Sequence, residues 1–138
     1  MREDPTEQAR RLRAGWQAHL EASEWSHLVT LTTRFAYSAD SLLRLFRERF
    51  VRRLTRMAQR SVIHFVVAGR THDGREHLHA LLMGTEGLSI RQLERAWPEG
   101  FTRIERFDPV KRGAAYVVKG LGDECDNYDV SRRWTSQE

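Results

Sequence analysis

The sequence predicts an α+β fold: a ferredoxin-like or RNA-recognition-module antiparallel sheet, with helices packed on one face and the other face open for ligands. Three observations lead there. Apolar residues recur every three or four positions in some stretches, which is helical spacing, and in others they alternate or run together with β-branched residues, which is strand patterning. These stretches follow one another as helix, strand, helix, strand, strand, helix, strand, helix, which makes two strand-helix-strand passes around one sheet. The 138 residues are the size of one domain, 1–138, able to bury a core of its own.

The first helix is expected over about residues 6–22, where Ala9, Leu12, Trp16 and Leu20 form the apolar stripe and Arg10, Arg11, Arg13 and Glu21 lie away from it. Residues 25–33 (WSHLVTLTT) read as the first strand, with Leu28, Thr30 and Thr32 on one face and Val29, Leu31 and Thr33 on the other. Asp40 or Ser41 is placed to cap a long helix to about Gln59, with Leu43, Phe46, Phe50, Leu54 and Met57 as its packing side. Its other side carries Arg44, Arg47, Arg49, Arg52, Arg53, Arg56 and Arg60, a run that serves either as a solvated face or as a phosphate-binding one.

Residues 62–68 (VIHFVVA) form a nearly continuous apolar strand, and the turn-prone stretch 69–75, with Asp73-Gly74, joins it to the strand EHLHALLM as a central hairpin. Ser89 and Gln92 have capping-box spacing and open a short helix that Pro98 closes. Residues 101–107 read as an edge or bulged strand, since Phe101, Ile104 and Phe107 do not alternate. Asp108-Pro109 then supplies an N-cap and a first-turn proline for a last helix to about Gly120, packing through Val110, Ala114, Val117 and Leu121. The tail, about residues 122–138, reads as irregular.

Composition narrows the function. Hydrophobic residues make 40% and charged ones 30% of the chain, and no apolar run is long enough to span a bilayer. The polar N-terminus has no signal-peptide core, and Cys125 is the single cysteine, so the expected setting is a reducing cytoplasm, without a membrane partner. The net charge is +4 with only Lys111 and Lys119 as lysines, a balance that favours polyanionic partners, nucleic acid first.

Two groupings carry chemistry. In a strand, His77 and His79 point to one face with Leu81 and Met83, while Leu78, Ala80 and Leu82 point to the other. Imidazoles one pleat apart, about 6.5–7 Å, can converge on one divalent ion. On the last helix, Arg112, Tyr116 and Lys119 share a side at i, i+4 and i+7. A phenol with a pKa of about 10 is a poor nucleophile at neutral pH unless its target phosphate is polarised and nearby cations favour the phenolate. A divalent ion on the histidines and Lys119 meet those needs, which suits attack of Tyr116 on a DNA phosphodiester.

This arrangement resembles the HUH endonucleases, specifically the rolling-circle replication initiator (Rep) proteins of bacterial plasmids and phages. Three motifs stand in that family's order: Leu28-Val29-Thr30-Leu31-Thr32-Thr33, His77-Leu78-His79 and Tyr116-Val117-Val118-Lys119. Asp73-Gly74-Arg75, Gly100-Phe101, Gly113-Ala114-Ala115 and Tyr128-Asp129-Val130-Ser131 are similar to it as well, so the resemblance spans about residues 25–130. It implies a bacterial cytoplasmic nuclease domain that binds Mn²⁺ or Mg²⁺ and nicks single-stranded origin DNA at a hairpin or nick site. The enzyme would keep a 5′-phosphotyrosine link and leave a 3′-OH for a host polymerase, with a host helicase as a further partner. Tyr116 would be the nucleophile, His77 and His79 metal ligands, and Lys119 an assistant in the site.

The family's third metal ligand stands on the strand before the histidines, and here that place is Ala68-Gly69, which offers none. His72 or Asp73 is the expected replacement, with His64, Glu76 or water as other candidates. Arg112, Arg70, Arg75, Thr30 and Thr32 are the candidates for contact with DNA. Tyr128 and the tryptophans are expected to be structural, and Cys125 a bystander. Two rivals remain: a single-tyrosine HUH transposase, and a non-catalytic nucleic-acid-binding module on the same fold.

Overall fold

A computed structural model describes residues 5–70, 76–111, 117 and 128–131. The architecture is α+β, consistent with a ferredoxin-like fold: a five-stranded antiparallel sheet with helices, in the strand order β4-β1-β3-β2-β5. The strands are β1 (His27–Leu31), β2 (Ile63–Arg70), β3 (Glu76–Met83), β4 (Thr102–Arg106) and β5 (Tyr128–Val130). Both crossovers skip one strand. β1 reaches β2 through α2 (Ala39–Leu45), a π-helical segment (Phe46–Val51) and α3 (Arg52–Ala58), and β3 reaches β4 through α4 (Ile90–Arg95). β4 is an edge strand, as its broken alternation suggested, and the β2–β3 hairpin lies inside the sheet.

The main core lies between the sheet and these helices. Val29, Leu31, Leu78, Ala80 and Leu82 come from the strands, Phe46, Phe50, Leu54 and Leu93 from the helices, and Trp97 from the turn just past α4. Phe50 meets Phe46 at 5.3 Å and stands edge-on to Trp97 at 5.8 Å. Ser38, rather than Asp40 or Ser41, caps α2, its hydroxyl accepting from the Ser41 amide; Asp40 lies inside the first turn. Ser89 and Gln92 form the expected capping box.

The long helix departs from regular spacing, because the π-helical segment carries more residues per turn and rotates everything after it. Met57, in phase with the packing stripe of an ideal helix, is therefore 39% exposed. Leu42, ahead of that segment, lies in the core beside Leu43. Within the arginine run, Arg47 pairs with Asp129, Arg60 with Glu86, and Arg53 with Glu99 and the Ala96 carbonyl. Arg44, Arg49, Arg52 and Arg56 stay exposed on the side of the sheet away from the histidines.

The second face is only partly open. Helix α1 (Pro5–Glu21) covers half of it, burying Leu20 with Trp25, Ile63, Phe65, Val67 and Leu81, and packing Trp16 on Phe65 at 5.1 Å. The physical cause is that β2 and β3 are apolar on both sides over this half, so their second face needs a cover. Val117 is helical and buried in this same cluster. Val110, expected to pack with it, is 86% exposed, because residues Pro109–Lys111 form a 3₁₀ turn whose start is fixed by Asp108 accepting from the Val110 amide.

The segment read as an irregular tail contains β5, which pairs with β2. A side-chain relay fastens it there. Arg47 donates to Asp129, whose other oxygen lies 2.7 Å from His64 Nε2, and His64 Nδ1 lies 2.9 Å from Ser131 Oγ. Asp129 has its pKa lowered: burial pushes upward, and the His64 contact together with the Arg47 charge outweighs it. Tyr128 is structural here, stacked on Phe65 at 5.9 Å and edge-on to Trp16 at 5.4 Å.

Candidate active site

Alternation along β3 puts His77 and His79 on the face shared with α1, beyond the half that the helix covers. Their rings are 4.4 Å apart between centroids and nearly perpendicular. Register sets what surrounds them. Thr30 on β1 and Val67 on β2 lie directly opposite His79, and Gly69 lies opposite His77. Thr30 Oγ1 is 3.2 Å from His79 Nδ1, so this threonine orients the imidazole.

His79 is only 8% exposed, and burial, followed by the proximity of His77, lowers its pKa to about 4. The ring is therefore neutral at neutral pH, the form that offers a lone pair to a metal. Gly69 leaves room beside it. A Cβ at position 69 would have the His77 ring edge, at 3.6 Å, as its nearest neighbour, which is ordinary van der Waals contact. Two imidazoles on one face, that of His79 neutral, fit two ligand positions of a divalent ion. Among the described residues, no group of three His, Cys, Asp or Glu side chains could hold one.

Of the substitutes for the third ligand, His64 is removed: it faces the helix side, opposite Leu82, and both ring nitrogens are engaged by Asp129 and Ser131. Alternation likewise turns Glu76 away from His77. His72 and Asp73 lie outside the described residues, as do Tyr116, Lys119, Arg112, Arg75 and the side chain of Arg70. Val117, the chain neighbour of Tyr116, is described and is buried against the same sheet face as the histidines.

Thr32 extends the β1–β4 ladder past the end of β1, exchanging backbone hydrogen bonds with Phe101 at 3.0 and 3.1 Å. Sequence reading passed over two side chains that the register brings to this face, Phe101 and Arg103. The signal was available in the strand 101–107, where both are odd-numbered neighbours on one side of an edge strand. Another buried histidine, His27, points to the helix side. Its Nδ1 lies 2.7 Å from Thr85 Oγ1, its Nε2 finds no hydrogen-bond partner among the described residues, and burial ahead of the Arg106 charge lowers its pKa.

No helix among the described residues is long and apolar enough to cross a membrane. The family model for the replication-associated protein ORF2 matches residues 26–124. No curated protein matches the chain. Among solved structures, the hypothetical protein ORF119 from Sulfolobus islandicus rod-shaped virus 1 is similar in fold. Its TM-score is 0.53 at 18% identity, over 80% of this chain and 94% of that one.

Proposed function

Because the chain belongs to the replication-associated protein ORF2 family, we propose that it is a metal-dependent, HUH-type single-strand DNA endonuclease and strand transferase. On this reading it initiates rolling-circle replication of a bacterial plasmid or phage in the cytoplasm. The observation that carries the proposal is the pair His77 and His79, with His79 held neutral by burial and oriented by Thr30, on the sheet face where Val117, next in the chain to Tyr116, is also buried.

The reaction is a transesterification. Tyr116 Oη attacks the scissile phosphorus, the bond from phosphorus to the 3′ oxygen breaks, the phenolic proton is lost to solvent or a base, and the leaving oxygen takes up a proton as a free 3′-OH. The product is a 5′-phosphotyrosine with a primer end for a host polymerase, and a helicase opens the duplex ahead. Lys119, three residues from Tyr116, favours the phenolate by its charge. His77 and His79 would hold Mn²⁺ or Mg²⁺, which when bound supplies Lewis-acid polarisation of the phosphate.

Incubation with origin-like single-stranded oligonucleotides and Mn²⁺, followed by a denaturing gel, tests this. A covalent adduct is expected from the native chain and none from Tyr116→Phe or His77→Ala. Gly69 at the family's third-ligand place favours the second reading, a non-catalytic nucleic-acid-binding module, and binding with no adduct across a broad oligonucleotide library would establish it.

A further inference from the structure

We propose that Phe101 and Arg103 form a shelf for single-stranded DNA beside the histidine pair, Phe101 stacking an unpaired nucleobase and Arg103 holding a backbone phosphate. The inference rests on the reading of the chain as a single-strand DNA enzyme, and adds where the strand lies next to the reacting phosphate. Its warrant is the register. Arg103 on β4 is opposite Thr30 on β1, and Thr102 is opposite Leu31. One step further, Phe101 is opposite Thr32, and these two exchange both backbone hydrogen bonds. Across the other edge of β1, His79 is opposite Thr30 and Leu78 is opposite Leu31, so the same step brings His77 opposite Thr32.

Residues directly opposite one another in a ladder share a face. Two parallel rows therefore cross this face: His77, Thr32, Phe101 and His79, Thr30, Arg103. At about 4.8 Å per strand, the shelf residues lie about 10 Å from the histidines, within reach of the nucleotides next to a phosphate held at the pair. Ile104, next to Arg103 on β4 and opposite Val29, packs on the opposite core, which fixes the outward direction of Arg103.

The Phe101 ring is 67% exposed, yet its backbone is anchored. Trp97 Nε1 donates to the Thr32 carbonyl at 2.8 Å, and Gly100 passes so close that a Cβ there would come 2.0 Å from that same oxygen. A large apolar ring on a fixed edge, beside a cation that forms no ion pair among the described residues, has the makings of a base-stacking platform with a phosphate contact. Glu105, two residues beyond Arg103 and on the same side, would repel the backbone, so the favourable path runs towards the histidine end.

Fluorescence anisotropy of a labelled oligothymidylate, titrated with the full chain in EDTA to prevent cleavage, reads the affinity. Phe101→Ala is expected to weaken binding roughly 5- to 150-fold, the value of one stacked base. Phe101→Trp should retain it. Phe101→Leu, which keeps apolar bulk without a π face, should lose it, and it carries the test should the alanine variant unfold at a lower temperature. Arg103→Gln should lower the slope of log affinity against log salt by about 0.7, whereas Arg56→Gln, the same charge lost on the far side of the sheet, should leave slope and affinity unchanged. The shelf is overturned if Phe101→Leu binds as the native chain does, or if Arg56→Gln costs as much as Arg103→Gln. Failure of the native chain itself to bind would instead remove the single-strand reading, and the shelf with it.

Discussion

Gly100→Ala should be one of the most destabilising single-methyl additions available in this chain, and the cause is space rather than backbone dihedral. An added Cβ would come 2.0 Å from the Thr32 carbonyl oxygen and 2.7 Å from Thr33 Cα, both backbone atoms that no rotamer change can move. Real Cβ contacts do not fall below 3.0 Å, so the Gly100 strand must retreat from β1. That retreat disturbs three hydrogen bonds converging on Thr32: the reciprocal pair with Phe101 and the indole donation from Trp97. Overpacking of this kind costs about 1–3 kcal/mol, and each weakened bond adds about 0.5–1.5 kcal/mol. The stiffer unfolded chain of an alanine variant offsets about 0.4–1 kcal/mol.

The net expectation is a loss of about 2–7 kcal/mol, the upper end requiring that all three bonds are lost, read as a lower urea midpoint at unchanged slope. Gly15→Ala is the comparison. Position 15 is inside α1 with nothing within 4 Å of an added Cβ, so that variant should gain about 0.5–1 kcal/mol from helix propensity alone. The reasoning fails if Gly100→Ala is as stable as the native chain, or if both variants shift in the same direction.

Three further outcomes are expected. Asp129→Asn removes the carboxylate shared by Arg47 and His64, so β5 should loosen; a loss of about 1–3 kcal/mol is expected, with amide exchange at residues 128–130 rising more than in β3, and uniform protection would contradict it. His27 has its pKa lowered in the folded chain, so the unfolded state binds more protons: stability from this group is complete above the unfolded value of about 6.5 and is lost as pH falls below it. Urea titrations above and below that value should show a flatter acid-side decline in His27→Asn, and an unchanged decline would assign the effect to other groups. Gly69→Asp places a carboxylate opposite His77 where a Cβ meets only ordinary contact, so calorimetry should show Mn²⁺ binding tighter by roughly tenfold or more, through an added charged ligand; equal affinity would mean that the ion does not sit between β2 and β3.

Much of this fold could be read from periodicity, because most elements bury one face only. The alternation in β1 and the i, i+4 spacing in α2 each point to a single packed side. What periodicity did not reach has a common cause. Met57 left the packing side through a π-helical segment, which shifts phase without any marker in residue type. β5 is three residues long, too short for a pattern, and the Arg47, Asp129, His64 and Ser131 relay that fastens it, beside the packing of Tyr128 and Val130, joins residues far apart in the chain. Helix α1 was visible as a helix, but its docking place depended on Phe65, Val67 and Leu81 needing a cover, which is a property of the sheet and not of the helix.

The site divides along the same line. That His77 and His79 share a face follows from the pleat alone, and the sequence suffices for it. Which residues stand beside them depends on register between strands far apart in the chain, and no local pattern encodes that. Thr30 becomes an orienting partner of His79 only because β1 pairs with β3 forty-nine positions away, and Phe101 and Arg103 come to the histidine face only because β4 pairs with β1 on its other edge. Gly69 is the telling case. In sequence it is a missing ligand, whereas opposite His77 it is a gap in the site wall that keeps the imidazole edge accessible from the β2 side. On the proposed function, a pair of histidines bounded by an orienting threonine on one side and by open space on the other would take its remaining ligands from a donor elsewhere in the chain or from the substrate phosphate itself, which would make metal affinity dependent on bound DNA. Mn²⁺ binding measured with and without a non-cleavable oligonucleotide should therefore differ, and equal affinities would show that the chain supplies the whole coordination shell unaided.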